Sequence, residues 1–382
     1  MKVIIPENRL EQIIFKYLDV KFKDLEQSKG GSHDIIFKIP GGTSRGILQT
    51  KNSWILSLHD DCSDFIATAE CSIIEGLSPE FTEEDKYVQQ LDKLLAQLAE
   101  VSSSFFFKMG TLKPEFSSNG RAFLSEWLKF PSIKFGLECA LLSIFHKSNA
   151  LIFDNKFSQG KQNILVNGLV WMGDVSFMQK QIEEKLDQGY STIKLKVGAL
   201  DFSSELKIIE GLRKQLPSEK LTIRVDANGA FSKENVRASL YELAQLEVHS
   251  IEQPIAVGQI ELLRQLCHEN ILPIALDEEL IAYYSYAEKQ TLLQTVNPQF
   301  IVLKPSLHGG IFGTQEWIQL AEDNGIDWWL TSALEGNIGL LAIAQLAAEY
   351  DLKLPQGLGT GSLFSNNFPS LLVLENGYVK QA

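Results

Sequence analysis

Apolar positions follow one rhythm in roughly the first hundred residues and another from Ile164 onward. In the early part, SWILSL (53–58) and FIATAECSII (65–74) have the composition of strands in an antiparallel sheet. Between 82 and 101, Val88, Leu91, Leu95 and Leu98 recur at helical spacing. They predict an amphipathic helix lying on that sheet, with Thr82 as its N-cap. A second stripe, Phe135, Cys139, Leu142 and Phe145, predicts a core-packed helix over 132–147.

From Ile164 short apolar runs alternate with helical patterns such as 174–189 and 233–246. The runs are ILVNGLVW (164–171), IKLKVG (193–198), IRVDANG (223–229), SIEQPI (250–255), PIALDEE (273–279), FIVLKPS (300–306), WWLTSALEGNIG (328–339) and LKLPQGLG (352–359). They are near-continuously apolar, as strands buried on both faces must be. Key polar residues fall about 25 to 30 positions apart, one βα unit of a barrel that fits eight units into ~250 residues. The fold class is therefore α/β: a (β/α) TIM-like barrel over 126–364 with an α+β capping domain over 1–125. Beyond Phe364, LLVLENGYVK reads as a hairpin turning at Asn376-Gly377. It is expected to return to the amino-terminal sheet, so that 365–382 completes the capping domain.

Composition narrows the function. The chain has 382 residues, and 35 Lys and Arg against 48 Asp and Glu leave a net charge of -13. With no concentrated basic stretch, this argues against nucleic acid or an anionic membrane as partner. No apolar run approaches the ~20 residues of a membrane span, and the first residues do not form a signal peptide. Cys62, Cys71, Cys139 and Cys267 are scattered, which suits free thiols in the cytoplasm.

The chemistry sits at the ends of the runs. Side chains two apart on a strand share a face, so Lys194 and Lys196 both point into the barrel, as do Arg224 and Asp226. Glu252, Asp277 and Lys304 end the next runs. Buried charges are costly unless paired or metal-bound. Three carboxylates without soft ligands, Asp226, Glu252 and Asp277, select a hard cation, most simply Mg²⁺. Such an ion would hold a substrate carboxylate and stabilise the charge left when the adjacent carbon loses a proton. A buried lysine beside a second lysine suits the base, and their mutual repulsion is expected to lower the proton affinity of at least one. Singly, each residue has an ordinary structural reading as a rim charge or helix cap. The ordered set Lys-x-Lys, Asp, Glu, Asp, Lys is what makes the site.

That set resembles the enolase superfamily, and within it the muconate-lactonizing subgroup, over nearly the whole chain. The resemblance implies that Lys196 removes the proton α to a carboxylate to give an enediolate, that Lys194 tunes it, and that Asp226, Glu252 and Asp277 bind Mg²⁺. KFGLECALLS (134–143), VNGLVWMGD (166–174), LTSALEGNIGL (330–340) and GLGTGSLF (357–364) are similar to the branch that dehydrates 2-succinyl-6-hydroxy-2,4-cyclohexadiene-1-carboxylate in menaquinone assembly. There Lys196 would serve both halves of a syn dehydration, and Lys304 would stabilise the anion from the opposite face. Asn228 is expected at the substrate or at metal-bound water. Ser332, Leu334 and Gly336 are expected along the succinyl tail, with Arg45 on a covering loop. Glu278 is expected to turn from the mouth by strand parity, and His308 to hold a surface or loop position. GLGTGSLF lacks the Asp-x-Asp with which dipeptide epimerases grip an amino group. Racemases of N-acylamino acids and muconate cycloisomerases share the lysines and ligands, and a carboxylate-binding barrel without catalysis is the rival from another class.

Overall fold

The computed structural model describes residues 2–3, 32–43, 46–59, 65–108, 110–198 and 201–382. Four strands, β1 (Lys2–Val3), β2 (Ser32–Thr43), β3 (Gly46–His59) and β4 (Ile66–Ser72), form an antiparallel sheet in which β3 pairs with the other three. Helix α1 (Glu84–Ala99) buries Tyr87, Leu94 and Leu98, and the expected Val88, Leu91 and Leu95 pack half-buried against the same core. It begins after Glu83, with no capping side chain, and Thr82 is exposed outside it. Glu84 and Asp85 in its first turn answer the helix dipole instead. Helix α2 (Ser118–Glu126) is capped by Ser117. Helix α3 (Pro131–His146) is wedged between β4 and a barrel helix, and from 131 to 144 every side chain is buried.

The barrel begins with β5 (Ile164–Leu165) and β6 (Gly168–Val170). Asp174 then caps helix α4 (Val175–Asp187) by accepting from the Phe177 N–H. Strands β7 (Thr192–Lys196), β8 (Thr222–Asp226), β9 (Ser250–Glu252), β10 (Ile274–Leu276), β11 (Phe300–Leu303) and β12 (Asp327–Leu330) follow. From β6 to β12 they pair in parallel and in chain order. Helices α5 (Phe202–Gln215), α6 (Val236–Gln245), α7 (Ile260–Glu269), α8 (Tyr286–Val296), α9 (Gly310–Asp323) and α10 (Asn337–Ala347) alternate with them.

The eighth segment does not form a continuous strand. It closes the barrel with single bridges, Gln356 to Val166 on one side and Gly357 to Thr331 on the other. Pro355 removes one N–H from any ladder there, and Gln356 uses its side chain to accept from the Leu330 N–H. Below the site, buried Arg224 fills the barrel axis, stacked 4.0 Å over Trp329 and donating to the Pro355 carbonyl. Burial pulls its guanidinium down to about 10.

The carboxyl-terminal hairpin, β13 (Leu372–Glu375) and β14 (Tyr378–Gln381), turns at Asn376-Gly377, both at positive φ. It does not join the amino-terminal sheet. Tyr378 and Val379 pair with Leu165 and Ile164, the open edge of the first barrel strand, and Val379 is buried there. The residues just before the hairpin do touch β2: Phe364 bridges Phe37, and Asn366 bonds the backbone of Asp34 and Ile36.

Candidate active site

Strand register brings the expected residues to one rim. Lys196 lies opposite Asp226, and Asp226 opposite Glu252, across neighbouring strands. Ala275 pairs with Glu252, so Asp277, one residue past β10, emerges two positions beyond that row toward the rim. Lys304 follows β11 directly. Each carboxylate is at most 2% exposed. Lys194 Nζ stands 2.7 and 2.6 Å from the two oxygens of Glu252 and 2.8 Å from Asp226 Oδ2. Lys196 Nζ lies 2.6 Å from Asp226 Oδ2 and donates to Asn228 Oδ1, also at 2.6 Å. Lys304 pairs with Asp277 Oδ2.

Burial dominates the electrostatics, and the pairs then divide the groups. Burial would lower the Lys194 ammonium, but Asp226 and Glu252 outweigh it and hold it above the ordinary lysine value. Lys304 is held up against burial by Asp277 and Glu252. Of the two neighbouring lysines, Lys194 is thus held up rather than depressed, because carboxylates crowd it closely. Burial would raise Asp226, yet Lys194 and Lys196 keep it well below the usual aspartate range. Glu252 is pushed up to about 8 by burial and by the Asp226 charge. Burial likewise raises Asp277 against the pull of Lys304.

These three carboxylates fit a hard cation by donor type and position. All the donors are oxygens, burial drives two of the three groups toward neutrality despite the lysines, and Asp277 Oδ1 accepts no hydrogen bond. Among the described residues no three acidic, His or Cys side chains are already gathered as a chelate. Lysines hold the carboxylates instead.

The lysines open into a cleft between barrel and cap. Asn228, Ser332 and Leu334 line it as expected. Ser332 Oγ lies 2.6 Å from Thr360 Oγ1, and Leu334 holds a φ of 62°. Gly336 does not line the cleft: it starts α10, and its N–H is taken by Glu70 of the cap. Glu278 does line it, accepting from Asn228 Nδ2 at 2.9 Å. β10 ends at Leu276 and a 3₁₀ turn begins at Glu278, so strand parity no longer applies. Glu279 turns away and accepts the Gly258 N–H. His308 holds a turn position but is buried there, its Nδ1 accepting the Lys304 N–H at 2.9 Å. Burial, with Lys304 and Lys289 nearby, holds its imidazole well below the ordinary value, hence neutral. Arg45 lies outside the described residues.

Sequence reasoning missed Asn167, Thr331 and Thr360 in the cleft, and Leu48, Ile74 and Leu77 from the cap. The cap residues carry no chemical signature, and only the domain packing brings them over the barrel mouth. Leu48, Leu169 and Leu334 continue into an apolar seam between cap and barrel built on Phe37, Trp171, Phe364 and Phe368.

Comparison with known proteins agrees with this geometry. A family model described as Enolase C-terminal domain-like matches residues 178–381. The chain is 42% identical over 361 residues to the o-succinylbenzoate synthase of Desulfotalea psychrophila, covering 90% of this chain and 96% of that protein. The crystal structure of MenC from the same organism superposes with a TM-score of 0.78 at 38% identity, over 92% of this chain and 98% of that one. Muconate lactonizing enzyme from Pseudomonas fluorescens shares the fold, with a TM-score of 0.76 at 21% identity over 92% of each chain. With a family model spanning more than half of it and a near-full-length relative, the chain belongs to the enolase superfamily.

Proposed function

We propose that this protein is an o-succinylbenzoate synthase, a carbon–oxygen lyase that dehydrates 2-succinyl-6-hydroxy-2,4-cyclohexadiene-1-carboxylate to 2-succinylbenzoate in menaquinone biosynthesis. The observation that carries the reading is the pair of lysines, Lys196 and Lys304, on strands four apart, lining one cleft above three buried carboxylates. The near-full-length likeness to a protein of that name supports it.

In this reading Lys196 Nζ, as the free amine, takes the proton from the ring carbon that bears the carboxylate. The electrons left behind form the ring double bond as the C–O bond to the hydroxyl breaks. The Lys196 ammonium returns its proton to the departing oxygen, so water leaves and the ring becomes aromatic. Asn228 orients Lys196, and the Lys304 and Lys194 ammonium groups stabilise negative charge at the ring and its carboxylate. Asp226, Glu252 and Asp277 would hold Mg²⁺, which supplies positive charge for the substrate carboxylate when bound. Ser332, Thr331 and Thr360 supply hydroxyls for the succinyl arm, while Leu48, Ile74 and Leu77 exclude water from above.

The test is a spectrophotometric assay of aromatisation with Mg²⁺ and with EDTA, alongside Lys196→Ala. Turnover should depend on metal and fall by at least about 10³-fold in the variant. No turnover by a folded, Mg²⁺-supplied wild type would sink the reading. The presence of both lysines in one cleft also favours a second reading, racemisation of N-acylamino acids. Deuterium exchange at the α carbon of such substrates would report it.

A further inference from the structure

The helix that follows the seventh barrel strand starts at Gly336, a residue with no side chain to cap it. Glu70, on β4 of the capping sheet, takes its first N–H groups instead. Gly336 N donates to Oε1 at 2.7 Å and Gly339 N to Oε2 at 3.0 Å. Ser53 Oγ, on β3, donates to Oε1 at 2.8 Å. Glu70 is 1% exposed. These are charge-assisted bonds in a dry interface, at the positive end of a helix dipole. The barrel side leaves little room for a side chain: a Cβ at 336 would stand 3.0 Å from Glu70 Oε2, and one at 339 only 2.8 Å from Glu335 Cβ.

The residues just before this helix, 331–334, line the cleft. Leu334 among them holds a left-handed backbone, which a leucine keeps only where its surroundings enforce it. Next to it, buried Glu335 accepts from Ser306 Oγ, two residues beyond Lys304. Lys51, buried on β3, donates to Ser72 Oγ, and its charge faces both Glu70 and Glu335. One polar array thus joins the capping sheet to the cleft-lining loop and to the turn that carries Lys304. An apolar seam resists separation but not sliding, whereas directional bonds fix register.

We propose that Glu70 is a positioning residue: its carboxylate sets the docking of the cap on the barrel and holds 331–336 in the shape that receives the substrate. It therefore governs substrate affinity and leaves proton transfer to Lys196. The kinetic half of the test rests on the catalytic reading above, and the exchange half does not.

Glu70→Gln keeps the side-chain volume but loses the charge and one acceptor oxygen. It should raise KM about tenfold with kcat within about threefold. In the substrate-free protein, amide hydrogen exchange over 331–339 should accelerate while β7 to β9 stay protected. Ser53→Ala withdraws one donor to Glu70 without touching α10, and should show the same pattern at about two- to threefold. It also decides the matter should Glu70→Gln not fold. Wild-type KM or wild-type exchange in the folded variants overturns the proposal, as does a fall in kcat at constant KM or a loss of melting temperature alone. If the wild-type chain turns over no substrate, the catalytic reading fails and exchange alone decides the role of Glu70.

Discussion

Asn228 joins three parts of the site through one side chain and its own backbone. Its Oδ1 accepts from Lys196, its Nδ2 donates to Glu278, and its N–H donates to Asp226 Oδ1 at 3.1 Å. It does so at a φ of 45°, a left-handed conformation that asparagine tolerates better than most residues. Removing the amide frees the Lys196 ammonium to swing and leaves Glu278 without that donor. Asn228→Ala should therefore lower kcat about 10- to 100-fold with KM changed only a few-fold. Steady-state kinetics at saturating Mg²⁺ would read this, and a wild-type kcat would reduce Asn228 to a loop former. The residue also marks where sequence reading stops. Strand alternation delivered Lys194, Lys196 and Asp226, because their strands run regularly to the rim. It misplaced Glu278, where a 3₁₀ turn replaces the strand. His308 holds a turn position, as expected, but its burial under Lys304 depends on how the turn after β11 folds back.

Three helices borrow their amino-terminal caps from elsewhere in the chain. Glu70 serves α10, Glu138 serves α9 by accepting from the Ile311 N–H, and Glu80 serves α3 by accepting from the Ser132 N–H and hydroxyl. At the corresponding cap positions stand Gly336, Gly309 and Phe130, none of which caps locally. The helices themselves were legible from their periodicity. Their caps were not, since the partners lie up to 269 residues apart and a lone glutamate in a strand or loop carries no signal. Likewise the eighth segment reads as a strand in composition, while Pro355 restricts it to single bridges. Glu80 gives this layer a pH dependence. Burial pushes its carboxyl from 4.5 up to about 7, although Ser132 pulls the other way. The folded chain thus keeps a proton that the unfolded chain loses. This contribution is complete below about pH 4.5 and fades as pH rises through 7. It is on the order of 2 kcal/mol after allowance for partial solvent access. Glu80→Gln keeps an acceptor for Ser132 but cannot titrate. The stability of the wild type relative to this variant should fall between pH 5 and 8 in denaturant titrations. A constant difference would show that Glu80 ionises as readily in the folded chain as in the unfolded one.

At the scale of the whole molecule, the site is a charge balance closed by two domains. Lys194, Lys196 and Lys304 face Asp226, Glu252, Asp277 and Glu278 around one cleft floored by the barrel and roofed by the cap. Two of these carboxylates are already driven toward neutrality by burial. With all four carboxylates ionised, the three lysines leave one negative charge in excess, and a divalent cation would turn that into one positive charge. A carboxylate of the substrate or product would then meet that charge inside a cleft whose walls, Leu48, Ile74, Leu77 and Trp171, keep the dielectric low. Cation and dicarboxylate should consequently bind with positive coupling. Thermodynamic reciprocity requires that each tighten the other by the same factor. Isothermal titration of Mg²⁺ with and without saturating 2-succinylbenzoate should show the cation bound at least about fivefold more tightly in its presence, about 1 kcal/mol of coupling. The product should gain the same factor from Mg²⁺. An uncharged analogue of similar ring size should couple more weakly, because it brings no charge to meet the cation. Equal Mg²⁺ affinity with and without the dicarboxylate would mean that the lysines already neutralise the product, and that the three carboxylates are not where the cation acts.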